Sequence, residues 1–179
     1  MSYQNVDYFS IDELYSPEEI LVRDTVREFV DNEVLPIIED RFERAAPPTE
    51  LLPKMAELGL FGITLPEEYG GAGANYTCYG LAMQELERGD SAIRSAASVQ
   101  NSLVMFPIFE YGSEEIKRKW LPRLAAGTAI GCFGLTEPDH GSNPSGMVTT
   151  ARKTDSGYLL NGAKMWITNG TIADVAIVW

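Results

Sequence analysis

Histidine is almost missing: the 179 residues hold one, His140, and cysteine occurs twice, at Cys78 and Cys132. One imidazole and two thiols without C-x-x-C spacing cannot assemble a zinc site or a disulfide framework, so no metal is expected and both thiols should be reduced and buried. Hydrolytic chemistry is excluded on similar grounds. Asp139, His140 and Ser142 are too close in sequence to align orienter, base and nucleophile, which leaves His140 as an unbonded histidine of a surface turn. Positive charge is scarce, with 14 Lys and Arg against 26 Asp and Glu and a net charge of −12. Nucleic acid and anionic membrane would be repelled at long range, and the one basic cluster, Lys117, Arg118, Lys119 and Arg123, reads as a solvated helix face. No apolar run approaches membrane-spanning length. Residues 1–7 are polar and acidic and lack the basic and apolar regions of a secretory leader, so the expected compartment is the cytoplasm.

What is present is enough apolar residue, 45% of the chain, for a sizeable core. Ser16-Pro17-Glu18-Glu19 reads as an N-cap, a proline at the first helical position and acid in the first turn. Val22, Val26, Phe29, Val30, Val34 and Ile37 then recur at three- and four-residue spacing, which puts Arg23, Asp24, Arg27, Glu28 and Asp31 toward water, and Pro36 is a candidate kink. Thr49 is placed to cap a short helix over residues 50–58 that Gly59 ends. Residues 61–75, with Pro66, Gly70, Gly71 and Gly73, predict a long loop over the surface or along an interface, without the spacing of a dinucleotide fingerprint. Residues 76–88 and 91–111 are helical in pattern, and Ser113 caps a further helix over 114–126 that Gly127 closes.

After Gly127 the texture changes. Residues 130–135, 147–153, 158–161, 164–168 and 175–179 are short β-rich runs separated by Gly, Asp, Ser and Asn, the pattern of an antiparallel sheet. The fold class is therefore α+β: an all-α domain over residues 1–127, then the opening strands of an antiparallel β-domain over 128–179. The last run stops at Trp179 without turn or cap, so the chain is expected to be the N-terminal part of something longer.

The segment most suited to chemistry is Phe133-Gly134-Leu135-Thr136-Glu137-Pro138-Asp139-His140-Gly141-Ser142, where a strand breaks at a proline and turns its N–H groups outward. With its later echo, Asn161-Gly162-x-Lys164-x-Trp166-Ile167-Thr168-Asn169, it resembles the flavin-binding signature pair of the acyl-CoA dehydrogenases, and within that family the glutaryl-CoA dehydrogenases. The loop Leu65-Pro66-Glu67-x-Tyr69-Gly70-Gly71 is similar to one between early helices of the family. The resemblance implies FAD as cofactor, held by Phe133, Gly134, Leu135, Thr136, Glu137, Pro138, Gly141, Ser142, Trp166, Ile167 and Thr168. Thr136 would donate to the ring through side chain or backbone, Trp166 would pack against it, and Thr168 would reach its central region. Ser142 would lie near the pyrophosphate or the acyl-CoA. Asn143 departs from the family's usual aspartate and cannot supply that charge.

For the substrate, Glu85-Leu86-Glu87-Arg88 followed by Arg94-Ser95 matches the glutaryl-CoA enzymes. The resemblance implies substrate binding by Glu87, Arg94, Ser95 and Ser142, with Arg94 on the distal carboxylate of the acyl chain. A guanidinium fork suits a carboxylate, and Ala92, Ile93, Ala96 and Ala97 make its helix read as buried. The implied reaction is removal of the substrate's α-proton by a carboxylate base and departure of a β-hydride to FAD, with decarboxylation to crotonyl-CoA following in some members. No segment of this chain matches the base, so no catalytic residue is assigned within it and this part alone is expected to be inactive. Acyl-CoA, an electron-transfer flavoprotein as acceptor, and a homotetramer are the partners the family implies. A dehydrogenase of short monocarboxylic acyl-CoA, or a non-catalytic helical interaction module should the chain truly end at Trp179, are the competing readings.

Overall fold

The structure is a computed structural model and describes residues 8–179; the polar lead-in 1–7 lies outside the described residues. A short 3-10 turn, Ile11–Leu14, precedes helix α1, Pro17–Phe29. Its start is a full capping box: Ser16 Oγ accepts from the Glu19 N–H at 3.3 Å, and the Glu19 carboxylate accepts from the Ser16 N–H at 2.8 Å. The apolar stripe is buried as its spacing requires, at Val26, Phe29, Val30 and Val34, and α1 packs on helix α4, Tyr76–Gly89. Two of the charges expected in water are not there. Arg23 is buried against Asp12 and Asp24, and Arg27 reaches across to Glu85 of α4 at 2.7 Å, a carboxylate that also takes Arg88 at 2.8 Å. A buried carboxylate requires such partners, and two guanidinium groups satisfy it.

Two prolines that follow a helical segment directly, Pro36 and Pro107, are accommodated by the same device. Val30–Val34 widens into π-type turns just before α2, Leu35–Glu43, whose second residue is Pro36. Val99–Met105 does the same between α5, Ser91–Ser98, and α6, Phe106–Tyr111, whose second residue is Pro107. Each proline lacks an N–H and its ring would strike the carbonyl four residues back; a wider turn relieves both, so the helix continues with no sharp break. Helix α3, Leu51–Glu57, forms where expected and ends at Gly59 with φ +71°, but Thr49 makes no cap, because its N–H is held by the Pro47 carbonyl in a turn and Glu50 is already helical. Ser113 does cap α7, Glu114–Ala125.

Residues 61–75 form the expected loop, exposed at 67, 68, 70, 72, 73 and 75, but its first part is not at the surface. Phe61, Ile63, Leu65 and Tyr69 are buried in the main core, around one 3-10 turn, Glu67–Tyr69. Gly71 is required there, since a Cβ would lie 2.0 Å from the Leu65 carbonyl oxygen. The basic face of α7 is only partly solvated: Lys117 lies over the Phe109 ring and Arg118 over Tyr69, while Lys119 and Arg123 flank Trp120.

Beyond Gly127 come β1, Gly131–Gly134; β2, Thr150–Thr154; β3, Gly157–Asn161; and β4, Val175–Val178. β2 and β3 form an antiparallel hairpin with Thr150 opposite Asn161. β1 pairs with β4, and this pair runs parallel, Gly131 beside Val175, because the hairpin and the segment after it are inserted between them. Residues 164–168, expected as a strand, are not one. Trp166 and Asn169 have φ of 61° and 64°, a left-handed backbone that no ladder accepts. Cys78 and Cys132 are free and buried, as expected.

Candidate functional site

The floor under β1 is built from two buried amides of the π-type segment. Gln100 donates to the carbonyls of Leu124 and Ala129, both at 2.9 Å, and accepts the Gly131 N–H at 2.9 Å. The helical part is thus pinned to the first residue of the first strand. Asn101 accepts the N–H groups of Gly62 at 2.7 Å and Ile63 at 3.0 Å and donates to the carbonyls of Leu60 and Ala97, both at 2.8 Å. Each of its four hydrogen-bonding positions is used.

From that floor β1 runs outward and its end supplies the first motif. Gly134 is buried, with its carbonyl taken by the Trp179 N–H, and the half-buried Phe133 ring meets Trp179 edge-on at 6.0 Å. Leu135 and Thr136 are half-buried; Pro138, Gly141 and Ser142 are exposed. Among the described residues, the Thr136 hydroxyl has no hydrogen-bond partner, and neither has that of Ser142. Glu137 turns inward. Its carboxylate accepts the Val148 N–H at 2.7 Å and the Thr149 N–H at 2.9 Å and takes the Lys164 ammonium at 2.9 Å. His140 is not the unbonded surface residue expected: it is half-buried, exchanges two backbone hydrogen bonds with Glu137, and its Nδ1 lies 3.1 Å from the Asn143 amide.

The second motif is held against the first. The Met165 N–H donates to the Thr136 carbonyl at 2.9 Å, and the Asn169 amide to the Gly131 carbonyl at 3.2 Å. Between them Ile167 is half-buried, while Trp166 is thrust out by its left-handed backbone with 86% of its surface exposed. Thr168 returns toward the helices, its hydroxyl 3.3 Å from that of Ser95 on α5. One residue of the substrate set therefore touches one of the cofactor set.

Arg94, beside Ser95, is not sealed from water. Its Nε is 2.5 Å from a Glu87 carboxylate oxygen, its NH1 donates to Ser98 Oγ at 3.2 Å, and 36% of the side chain is exposed. Asp90 is not its side-chain partner, because that carboxylate caps α5 by accepting the N–H groups of Ala92 and Ile93. The hydrogen bond from Arg94, aided by one from Ser91, holds the Glu87 carboxyl below its ordinary range. On the far side of α5, Ile93 and Ala96 face Thr168, Asn169 and Ile172 across an apolar cavity of about 180 Å³ that Pro48 and Leu52 help close. Ser142 makes no hydrogen bond to Arg94, Ser95 or Thr168 among the described residues.

Gln100, Asn101, Glu85 and Lys164 carry much of this construction; the two amides were not singled out by the residue pattern, and Glu85 and Lys164 stood in the motifs without a role of their own. The available signal for the two amides was polarity at the buried phase of a helix, between Ala97 and Val104.

Glu137 gives a pH dependence with a definite sign. The Thr149 side chain beside it, then the Val148 N–H, with Lys164 and the Thr149 N–H, hold its acid down to about 2 from an ordinary 4.5, against the opposing effect of burial. A carboxyl with a depressed folded-state pKa contributes stability that is full above about 4.5 and lost as pH falls toward 2. Glu137→Gln should accordingly melt lower than the parent at pH 7, and the gap in Tm should close as pH falls through that window. A gap independent of pH would show that the ionised form is not what matters.

Among the described residues no group of His, Cys, Asp and Glu could hold a metal ion, and no helix is long and apolar enough to cross a membrane. The acyl-CoA dehydrogenase N-terminal domain model matches residues 16–128 and the family's middle-domain model residues 132–179. An acyl-CoA dehydrogenase of Bacillus subtilis (strain 168) is 43% identical over 162 residues, covering 90% of this chain and 43% of that protein. The short-chain specific mitochondrial enzyme of Rattus norvegicus is 39% identical over 159 residues, covering 89% of this chain and 39% of that one. A crystal structure of a glutaryl-CoA dehydrogenase from Mycobacterium smegmatis in complex with FADH2 superposes with a TM-score of 0.93 at 57% identity, covering 96% of this chain and 44% of that chain. This chain thus spans about two fifths of the length of the curated relatives it matches. With the N-terminal domain model matching more than half of its residues, the chain belongs to the acyl-CoA dehydrogenase family.

Proposed function

We propose that the complete protein is an FAD-dependent acyl-CoA dehydrogenase acting on glutaryl-CoA, and that this chain supplies its helical domain, residues 1–127, and the first part of its β-domain. The observation that carries the reading is the Arg94 guanidinium on α5, held by Glu87 and Ser98, one residue from the Ser95 hydroxyl that meets Thr168. A fixed, partly exposed guanidinium beside the ring-facing segment is a receptor for the far carboxylate of a dicarboxylic acyl chain.

The donor set fits a flavin. The Trp166 indole is exposed, with room for a planar ring, and the Thr136 hydroxyl is a donor without a partner among the described residues. Exposed Gly141 and Ser142 leave open backbone, and a hydroxyl without a partner among the described residues, for an anionic group. Phe133 to Ser142 would line the cofactor, with Glu137 contributing through its backbone since its carboxylate is engaged inside. Bound there, FAD supplies a two-electron acceptor for the hydride that leaves the substrate's β-carbon. The residues of this chain do the rest of their work by position: Arg94 and Ser95 orient the acyl chain, Thr168 and Trp166 define where the ring lies, and Ser142 meets phosphate or the CoA portion. The α-proton is taken by a base outside this chain. An electron-transfer flavoprotein as acceptor and a homotetrameric assembly complete the proposal.

A second reading, oxidation of a short monocarboxylic acyl-CoA, is favoured by one observation: Glu87 already neutralises Arg94, so the site is electrically complete without a substrate carboxylate. The complete protein, purified and assayed on both substrates, separates the two. Glutaryl-CoA should be turned over in preference to butyryl-CoA by protein that carries flavin; the reverse preference selects the second reading, and protein that takes up no flavin excludes both.

A further inference from the structure

Lys164 belongs to the second motif, yet its side chain is turned to the first and has been given no role so far. Its side chain is 12% exposed, and its ammonium donates to the Leu135 carbonyl at 3.0 Å and the Glu137 carboxylate at 2.9 Å, with Met147 Sδ at 3.9 Å. Glu137 carries the load onward to the Val148 and Thr149 N–H groups, which lead into β2. Three stretches of chain thus converge on one buried ion pair: the end of β1, the approach to β2, and the segment that bears Trp166 and Thr168. One backbone bond, Met165 N–H to the Thr136 carbonyl, accompanies it. The stem of Lys164 passes over Gly134, where an added methyl would come within 3.4 Å of Cγ.

A compact ammonium with three donors suits this spot; a hydrophobic side chain of equal length would leave the Leu135 carbonyl and the Glu137 carboxylate each short of a partner. The left-handed backbone at Trp166 makes the demand sharper. A strained residue persists only where its neighbours fix it, and Lys164 and Met165 are the fixed residues immediately before it.

We propose that Lys164, acting through Glu137, is a positioning residue: it sets the register in which Trp166 and Thr168 face Thr136, so that the two segments present one planar site. This rests on the flavin reading above. The charged pair touches the site only through the backbone it holds, and its effect should be on the geometry of a bound ring.

The test uses the complete protein with Lys164→Met, Glu137→Gln and the double variant. FAD affinity and the visible-region circular dichroism of bound flavin are measured well below each melting temperature, where all molecules are folded. The expected result is a rise in the FAD Kd of roughly tenfold or more in each single variant, with altered flavin dichroism, since small misplacement of a positioned group is costly. The double variant should be no worse than the worse single one, as for two groups acting as a unit. Variants that melt lower yet bind FAD within twofold of the parent, with unchanged dichroism, would show a purely structural pair and overturn the proposal. Should Lys164→Met fail to fold, Glu137→Gln, of almost identical shape, decides on the same criteria. Parent protein that takes up no FAD overturns the flavin reading itself, and this proposal with it.

Discussion

Arg94→Ala in the complete protein should lower kcat/KM for glutaryl-CoA by roughly 100-fold or more, about 2.7 kcal/mol in transition-state terms, while kcat/KM for butyryl-CoA moves by no more than a few fold. The asymmetry comes from what each acyl chain leaves behind. A glutaryl chain brings its own carboxylate into a site stripped of its guanidinium, where only Glu87 remains, so an attraction is replaced by a repulsion between like charges. A butyryl chain brings no charge and loses only contact. Arg94→Lys should restore part of the loss, because a point charge keeps the attraction but cannot bind Glu87 and a second carboxylate through a planar fork. Glu87 matters to the size of the effect. Held ionised by Arg94 itself, it fixes the guanidinium in place but also competes for it, so the substrate carboxylate must join an existing pair. Equal losses on both substrates would mean that Arg94 holds α5 rather than reading the acyl chain.

Asn101→Leu should be the most damaging single change for stability, on the order of 3–5 kcal/mol. Leucine fills much of the same volume, so cavity formation is a small part of the cost. The larger part is that the Gly62 and Ile63 N–H groups and the Leu60 carbonyl, all buried with the loop, lose their partner together. Residues 61–75 pack Phe61, Ile63 and Leu65 into the core, so loosening this loop also removes apolar burial. A urea midpoint for Asn101→Leu close to that of the parent would show that the loop is held by its apolar side chains alone.

These two residues also show what could be read from the chain by itself. Arg94 was found because its setting, Glu87 before it and Ser95 after it, matches a known pattern; its exposure was not foreseen. The helix around it reads as buried from Ala92, Ile93, Ala96 and Ala97, yet Ala92 is exposed and Arg94 lies on the open side. Apolar content fixes that a helix has a buried face, but not how wide it is. Asn101 was overlooked because three of its four bonds go to residues far along the chain, at Leu60, Gly62 and Ile63, which local pattern cannot reveal. The helices were legible where their ends carry local chemistry, as at Ser16, Gly59 and Ser113. Thr49 was misread because a proline pair before it sets a competing turn.

The strand region was legible as β-rich and less so in detail. Trp166, Ile167 and Thr168 have high β-propensity, but the Lys164 side chain and the Met165 N–H tie that stretch to the end of β1 and Trp166 turns left-handed. Tertiary anchoring overrode propensity there. The same anchoring brings Thr168 to Ser95, which is why the two motifs and α5 meet.

A site in which Arg94 reads a glutaryl chain and a flavin oxidises it, formed in part by this chain, is tested most directly by mixing the complete protein anaerobically with glutaryl-CoA and following the visible absorbance of its bound flavin. Loss of that absorbance within a single turnover, faster and more complete than with butyryl-CoA, is the expected result. An unchanged flavin spectrum in the presence of glutaryl-CoA, or faster bleaching by butyryl-CoA, would contradict it.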